Sequence, residues 1–139
     1  MSYAGDLAPR EAFDLLHEDG EAVLVDVRTE AEWTWVGVPD TAGTGRGPVF
    51  ASWAPEDPAA PGARFLAELE RAGITAGRRG PVVFLCRSGK RSVAAAEAAT
   101  AAGITPSYNV LNGFEGDLDE HGHRGGAGWR AEGLPWRQS

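Results

Sequence analysis

The chain has 139 residues, 42% of them hydrophobic, with one cysteine and a formal net charge of −7. That length supports one domain with a single sizeable core and is short for two. The acidic balance speaks against nucleic acid or an anionic membrane surface as a bulk partner. A single cysteine excludes an internal disulfide framework and an intramolecular dithiol mechanism.

In chain order, "PREAFDLLHED" (9–19) predicts the first helix. Pro9 suits its first turn, Ala12, Phe13 and Leu16 form an apolar stripe, and Gly20 stops it. "AVLVDV" (22–27) is a short apolar run, as expected of a strand buried on both faces. Thr29 caps a short helix through "EAEWTWV", with Glu32 as its reciprocal partner. Residues 37–62 are rich in glycine and proline and read as irregular, with a strand in "PVFAS" (48–52) and a plain loop in "APEDPAAPG" (54–62). "GARFLAELERAGI" restores helical spacing through Phe65, Leu66 and Leu69 and stops at Gly73. "PVVFLC" (81–86) is a second buried strand, residues 92–102 an alanine-rich helix ending at Gly103, and "SYNVLNG" (107–113) a last strand and turn. The tail from 114 reads as mostly loop, with one helical turn in "GWRAEGLPW".

The alternation of strands and helices predicts an open, mostly parallel α/β sheet with helices on both faces. In such sheets ligands sit beyond the carboxyl ends of the strands, in loops that lead into helices. No internal repeat and no second domain is evident. The first residues lack a signal-peptide pattern, and no stretch is long enough to span a bilayer. A reducing, cytoplasmic location is therefore expected, where a lone thiol stays reduced.

"LCRSGKRS" (85–92) places Cys86 at the junction of a strand and a helix. Such a junction gathers unpaired backbone N–H groups at the positive end of a helix dipole, so it can hold an anion. Gly89 permits the curvature, and Arg87, Lys90 and Arg91 add positive charge. From Arg71 to Ala96 there are six basic residues and no acidic one. This setting favours a thiolate, and equally the anionic terminal sulfur of a persulfide.

Three segments, in the right order, resemble the rhodanese-like sulfurtransferases. "CRSGKRS" resembles that family's active-site loop. "VDVRTEAEW" (25–33) is similar to its N-terminal signature, and "VLNGFEG" followed by "GWRAEGLP" to its C-terminal region. The resemblance spans about residues 7–136, leaving short tails at 1–6 and 137–139. It implies a single rhodanese-like domain with a five-stranded, mostly parallel sheet. It implies Cys86 as the sulfur acceptor, with Arg87, Ser88, Gly89, Lys90, Arg91 and Ser92 forming the cradle. Within that cradle Arg87 and Arg91 stand nearest an anionic donor, and Ser88 offers a hydroxyl. Asp26, Arg28 and Glu32 take structural polar roles.

The implied reaction moves sulfane sulfur from a small anionic donor such as thiosulfate, through a Cys86 persulfide, to cyanide, a thiol or a protein acceptor. No metal or organic cofactor is implied. A carrier module with little turnover is the alternative from a different class. A phosphatase or arsenate reductase is less favoured, because the spacing from Cys86 to Arg91 is one residue shorter than in that branch.

Two departures from the family pattern stand out. "WTWVGVPDTAG" lacks the histidine usual there, and "DLDEHGHRGGA" (117–127) reads as an insertion. His121 and His123, with Asp117, Asp119 and Glu120 nearby, read less as a metal site than as a polar rim loop, with Arg124 as an anion-recognising candidate, or equally as a solvated loop with neither role. Trp35 and Trp53 are expected to line a pocket. No heptad pattern suggests an obligate assembly.

Overall fold

The computed structural model describes residues 3–44, 46–53, 62–118 and 120–138. Its elements, in order, are β1 (Gly5–Leu7), α1 (Pro9–Glu18), β2 (Val23–Asp26), α2 (Glu30–Trp35), β3 (Val38–Pro39), a 3-10 turn (Ala42–Thr44), β4 (Val49–Phe50), α3 (Ala63–Arg71), β5 (Val82–Leu85), α4 (Lys90–Ala101), β6 (Ser107–Val110) and β7 (Trp136–Arg137). Five strands form one parallel sheet in the order β1-β6-β5-β2-β4. β3 and β7 pair separately as a small antiparallel ribbon.

The central strands are apolar on both faces because both faces are covered. Val23 and Val25 of β2 and Val82 and Phe84 of β5 pack with Phe65 and Leu69 of α3 and Ala95, Ala96 and Ala99 of α4. Leu24, Val83 and Leu85 point the other way, onto Ala12 and Leu16 of α1 and onto Phe114, Trp129 and Leu134 of the C-terminal segment. The alanines let α4 lie close to the sheet.

The expected elements recur with small shifts. α4 begins at Lys90 rather than 92, because Gly89, at φ 105°, turns the chain into the helix in a left-handed conformation. The segment "GWRAEGLP" holds one turn, with the Glu132 N–H on the Gly128 carbonyl at 3.1 Å. Three strands escape a sequence reading: β1, β3 and β7 have two or three residues each, too few to show a period. β1 begins at Gly5, ahead of the expected 7–136 span, and β7 runs to Arg137. Most of the "APEDPAAPG" loop, residues 54–61, lies outside the described residues. Among the described residues no helix is long and apolar enough to cross a membrane.

Candidate active site

Cys86 follows the carboxyl end of β5, the middle strand of the sheet. Strand alternation turns its side chain to the α4 face, with Val82 and Phe84. It is 1% exposed. The sulfur accepts the Gly89 N–H at 3.1 Å and lies 3.2 Å from the Ser92 hydroxyl. The thiol thus sits against the first turn of α4, held by one backbone donor and one side chain of the loop that follows it.

The turn after β6 holds this loop from the opposite side. The Cys86 carbonyl accepts the Phe114 N–H at 2.8 Å, and the Arg87 carbonyl accepts those of Glu115 (2.9 Å) and Gly116 (3.1 Å). Gly113 has φ 54°, and a Cβ there would stand 2.3 Å from the Cys86 carbonyl oxygen. The glycine of "NGFEG" is therefore required by how closely two backbones approach.

The cradle residues divide by exposure. Arg87 and Lys90 are exposed at the rim, Ser88 and Gly89 are half-buried, and Ser92 is fully buried. Ser92, not Ser88, brings its hydroxyl oxygen to 3.2 Å from the sulfur. Arg91 is pinned by α2: its two terminal nitrogens reach the two Glu32 carboxylate oxygens at 2.8 and 2.9 Å. The Arg91 pKa is raised, first by these bonds, despite burial, with smaller contributions from the Glu32, Cys86 and Asp26 charges.

Glu32 serves two structures at once. It completes the Thr29 cap, accepting the Thr29 N–H at 3.2 Å while the Thr29 hydroxyl takes the Glu32 N–H at 3.3 Å. It also anchors the cysteine loop through Arg91. Burial pushes the Glu32 carboxyl up, but the Arg91 bonds, the Thr29 backbone, the Arg91 charge and the Thr29 hydroxyl outweigh it and hold it at about 2. A depressed carboxylate stabilises the fold above its unfolded value and loses that contribution as pH falls through its folded value. Wild type should therefore lose on the order of 2–3 kcal/mol between about pH 4.5 and pH 2 from this group alone. Glu32→Gln should lack that component, so the stability gap between the two proteins, read from denaturant melts, should narrow toward pH 2.

Asp26 and Arg28 form a separate pair on the other face. Both side chains are fully buried, and Arg28 bonds Asp26 Oδ2 at 2.7 Å through Nη2 and Oδ1 at 3.0 Å through Nε. Nη2 also bonds the Gly37 carbonyl at 2.7 Å, and the guanidinium lies 4.3 Å from the Phe114 ring centroid. The pair thereby supports the residue whose N–H holds the Cys86 carbonyl.

The expected pocket tryptophans need correction. Trp35 is 77% exposed, since α2 turns it to solvent, and Trp53 packs edge-on against Phe65 of the core. A cleft of about 610 Å³ is lined by Trp33 and Phe50 together with Thr29, Arg64 and Arg71, and none of residues 86–92 lines it. At the insertion, Nη1 of Arg124 bonds the Gly116 carbonyl at 2.8 Å, bracing the loop against the turn. His121 lies 3.5 Å from Glu120 and is well exposed. Among the described residues no three His, Cys, Asp or Glu side chains gather as a metal site.

Two residues went unmarked in the sequence. Asn109 of β6 is buried and accepts the Ser92 hydroxyl on Oδ1 at 2.5 Å, while its Nδ2 bonds Asp6 of β1 at 3.0 Å. The signal for Asn109 was available: an amide inside the buried strand "SYNV", facing the same side as the cysteine.

A family model described as a rhodanese-like domain matches residues 9–120. This chain belongs to the rhodanese-like family. Uncharacterized proteins of Rickettsia conorii and Rickettsia rickettsii are 32% and 34% identical to this chain, over 95% of its length and 96% of theirs. Its structure is similar to the crystal structure of Rv0390 from M. tuberculosis, with a TM-score of 0.86 and 57% identity over 99% of this chain and 100% of that one. It also shares its fold with the polysulfide-sulfur transferase of Wolinella succinogenes, at a TM-score of 0.64 and 24% identity over 96% of this chain and 78% of that one.

Proposed function

We propose that this rhodanese-like protein is a sulfurtransferase in which Cys86 alternates between thiolate and persulfide. The observation that carries the reading is the placement of the one thiol at the carboxyl end of the central strand, bonded by the Gly89 N–H at the start of α4. In the first half-reaction the thiolate attacks the outer sulfur of thiosulfate. A sulfur–sulfur bond forms, the donor's sulfur–sulfur bond breaks, and sulfite leaves with the electron pair. The terminal persulfide sulfur is then anionic and needs no base to leave. In the second half-reaction cyanide or a thiolate attacks that sulfur and restores the Cys86 thiolate.

The cations have distinct parts in this reading. Arg87 and Lys90, exposed at the rim, attract the anionic donor. Arg91 shares its charge between Glu32 and the loop and keeps the loop in shape. Ser88 and Gly89 offer the donor a hydroxyl and a backbone close to the sulfur. The acceptor is cyanide, a cellular thiol or a protein, and a thiol that must stay reduced suits a reducing compartment such as the cytoplasm. Two features weigh against phosphoryl chemistry: the short spacing from Cys86 to Arg91, and the pairing of Arg91 with Glu32, which uses two of the donors a phosphate would need.

Intact-mass measurement tests the reading. The reduced protein should gain the mass of one sulfur atom on exposure to thiosulfate and lose it on adding cyanide, with thiocyanate released. Continued thiocyanate production would separate an enzyme from a carrier that loads once. Absence of any gain with thiosulfate, mercaptopyruvate and polysulfide would overturn the proposal.

A further inference from the structure

Strand alternation aligns polar side chains from three neighbouring strands on the α4 face. Asp6 of β1 pairs in register with Asn109 of β6, and Asn109 with Phe84 of β5, two residues before Cys86. Ser92 descends from α4 between Asn109 and the thiol. The result is a continuous hydrogen-bonded row, Asp6–Asn109–Ser92–Cys86.

The donors in this row are fixed by elementary chemistry. The Asp6 carboxylate can only accept, so it takes the Asn109 amide N–H and turns the amide oxygen toward Ser92. Ser92 has one proton, and at 2.5 Å from Asn109 Oδ1 it gives that proton to the amide. What Ser92 then shows the sulfur, 3.2 Å away, is a lone pair. A thiol satisfies that lone pair with its S–H, whereas a thiolate has nothing to give it.

We propose that Asp6 and Asn109 are positioning residues that keep the Ser92 proton on Asn109, so that the hydroxyl turns its proton to sulfur only when the Cys86 thiol has given up its own. In that step the S–H proton leaves to water and its electron pair stays on sulfur. The Ser92 O–H rotates from Asn109 Oδ1 to Sγ, and no bond to Ser92 is made or broken. The row thus gives the thiol a partner for its proton, and once that proton has left the same hydroxyl is at hand to bond the charged sulfur.

Arg91 acts on Cys86 from α4 and is itself bonded to Glu32 of α2, while the charge of Asp26, paired with Arg28, reaches Arg91 only weakly. Arg87 and Lys90 of the same loop are exposed. The Tyr3 hydroxyl donates to Asp6 at 2.7 Å, and this bond, with burial and the Asp6 and Glu97 charges, pushes Tyr3 up to about 12. Tyr3 therefore remains a donor to Asp6 throughout the neutral range.

The inference rests on Cys86 as the nucleophile, but its test reads the thiol itself and is independent of sulfur transfer. The rate of Cys86 alkylation by iodoacetamide is measured against pH in wild type, Asp6→Asn, Ser92→Ala and the double variant. Asp6→Asn leaves Asn109 free to flip and to release the Ser92 hydroxyl to sulfur. Its profile should move toward acid by about half a pH unit or more, roughly a threefold rate gain below neutrality. In the Ser92→Ala background the same change should do nothing, because the route is gone. An equal shift in both backgrounds would mean that the Asp6 charge acts through space, and would overturn the proposal. No shift in either background would overturn it too. Asp6 lies exposed on an edge strand, so its isosteric replacement leaves the fold intact, and circular dichroism of all four proteins confirms it.

Discussion

Cys86→Ser is expected to take up no sulfur from any donor. Transfer should fall to the uncatalysed background, a loss on the order of 10³-fold or more. A serine hydroxyl is far harder to ionise than a thiol, and an oxygen cannot carry sulfane sulfur as a persulfide does. The fold should survive the change. A serine at this position still finds the Gly89 N–H as a donor and the Ser92 hydroxyl as a partner, so the buried oxygen is satisfied. Thermal melts of wild type and variant should therefore agree within a few degrees while the mass gain disappears. A variant that still gained sulfur would place the chemistry outside this loop. One that unfolded would show that the thiol also packs the core in a way a hydroxyl cannot replace.

The second large effect is on stability. Arg28→Ala leaves the Asp26 carboxylate fully buried with no cation beside it. Removing one partner of such a pair costs about 3–5 kcal/mol, which for a chain of this size lowers Tm by roughly 10–20 °C. It also removes the surface on which the Phe114 ring rests, 4.3 Å from the guanidinium. Sulfur transfer should fall along with stability, since Phe114 holds the Cys86 carbonyl. Replacing both members, Asp26→Leu with Arg28→Met, should recover part of the loss but not all of it. The Arg28 N–H bonds Asp26 Oδ1 at 3.1 Å, and the Gly37 carbonyl takes Arg28 Nη2 at 2.7 Å. Both backbone groups would be stranded by the apolar pair.

The sequence made some of this legible and hid the rest for physical reasons. β2 and β5 announce themselves because a strand covered on both faces must be apolar throughout, and "VLVD" and "VVFL" are nearly so. The Thr29–Glu32 cap was legible because a helix start needs those groups three residues apart. Cys86 was legible because a glycine and three cations follow it without an obvious structural use. The pairing of Glu32 with Arg91 was not, since it joins residues 59 apart in sequence and depends on where α2 lands. Asp6 was hidden for a similar reason. β1 is three residues long and gains its meaning only from pairing with β6, far along the chain. Trp33 and Trp35 show the limit of reading residue type alone: two positions apart on a helix, they face a cleft and solvent respectively.

The strand order also sets a sequence of events as the chain is made. β1 emerges first, yet it touches the sheet only along β6, which emerges after every other strand of that sheet. Until residues 107–110 arrive, the N-terminal segment has no edge to join, while β2, β4 and β5 can already pair with one another. Contacts between such distant segments close late, because the intervening loop's entropy must be overcome before they form. A growing chain can therefore assemble the central strands and the cysteine loop's first half well before Asn109 and the 112–116 turn exist to restrain it. For that interval the thiol is held by α4 alone. The finished cysteine loop is thus a product of the last quarter of synthesis, and it is completed when the oldest strand finds its place.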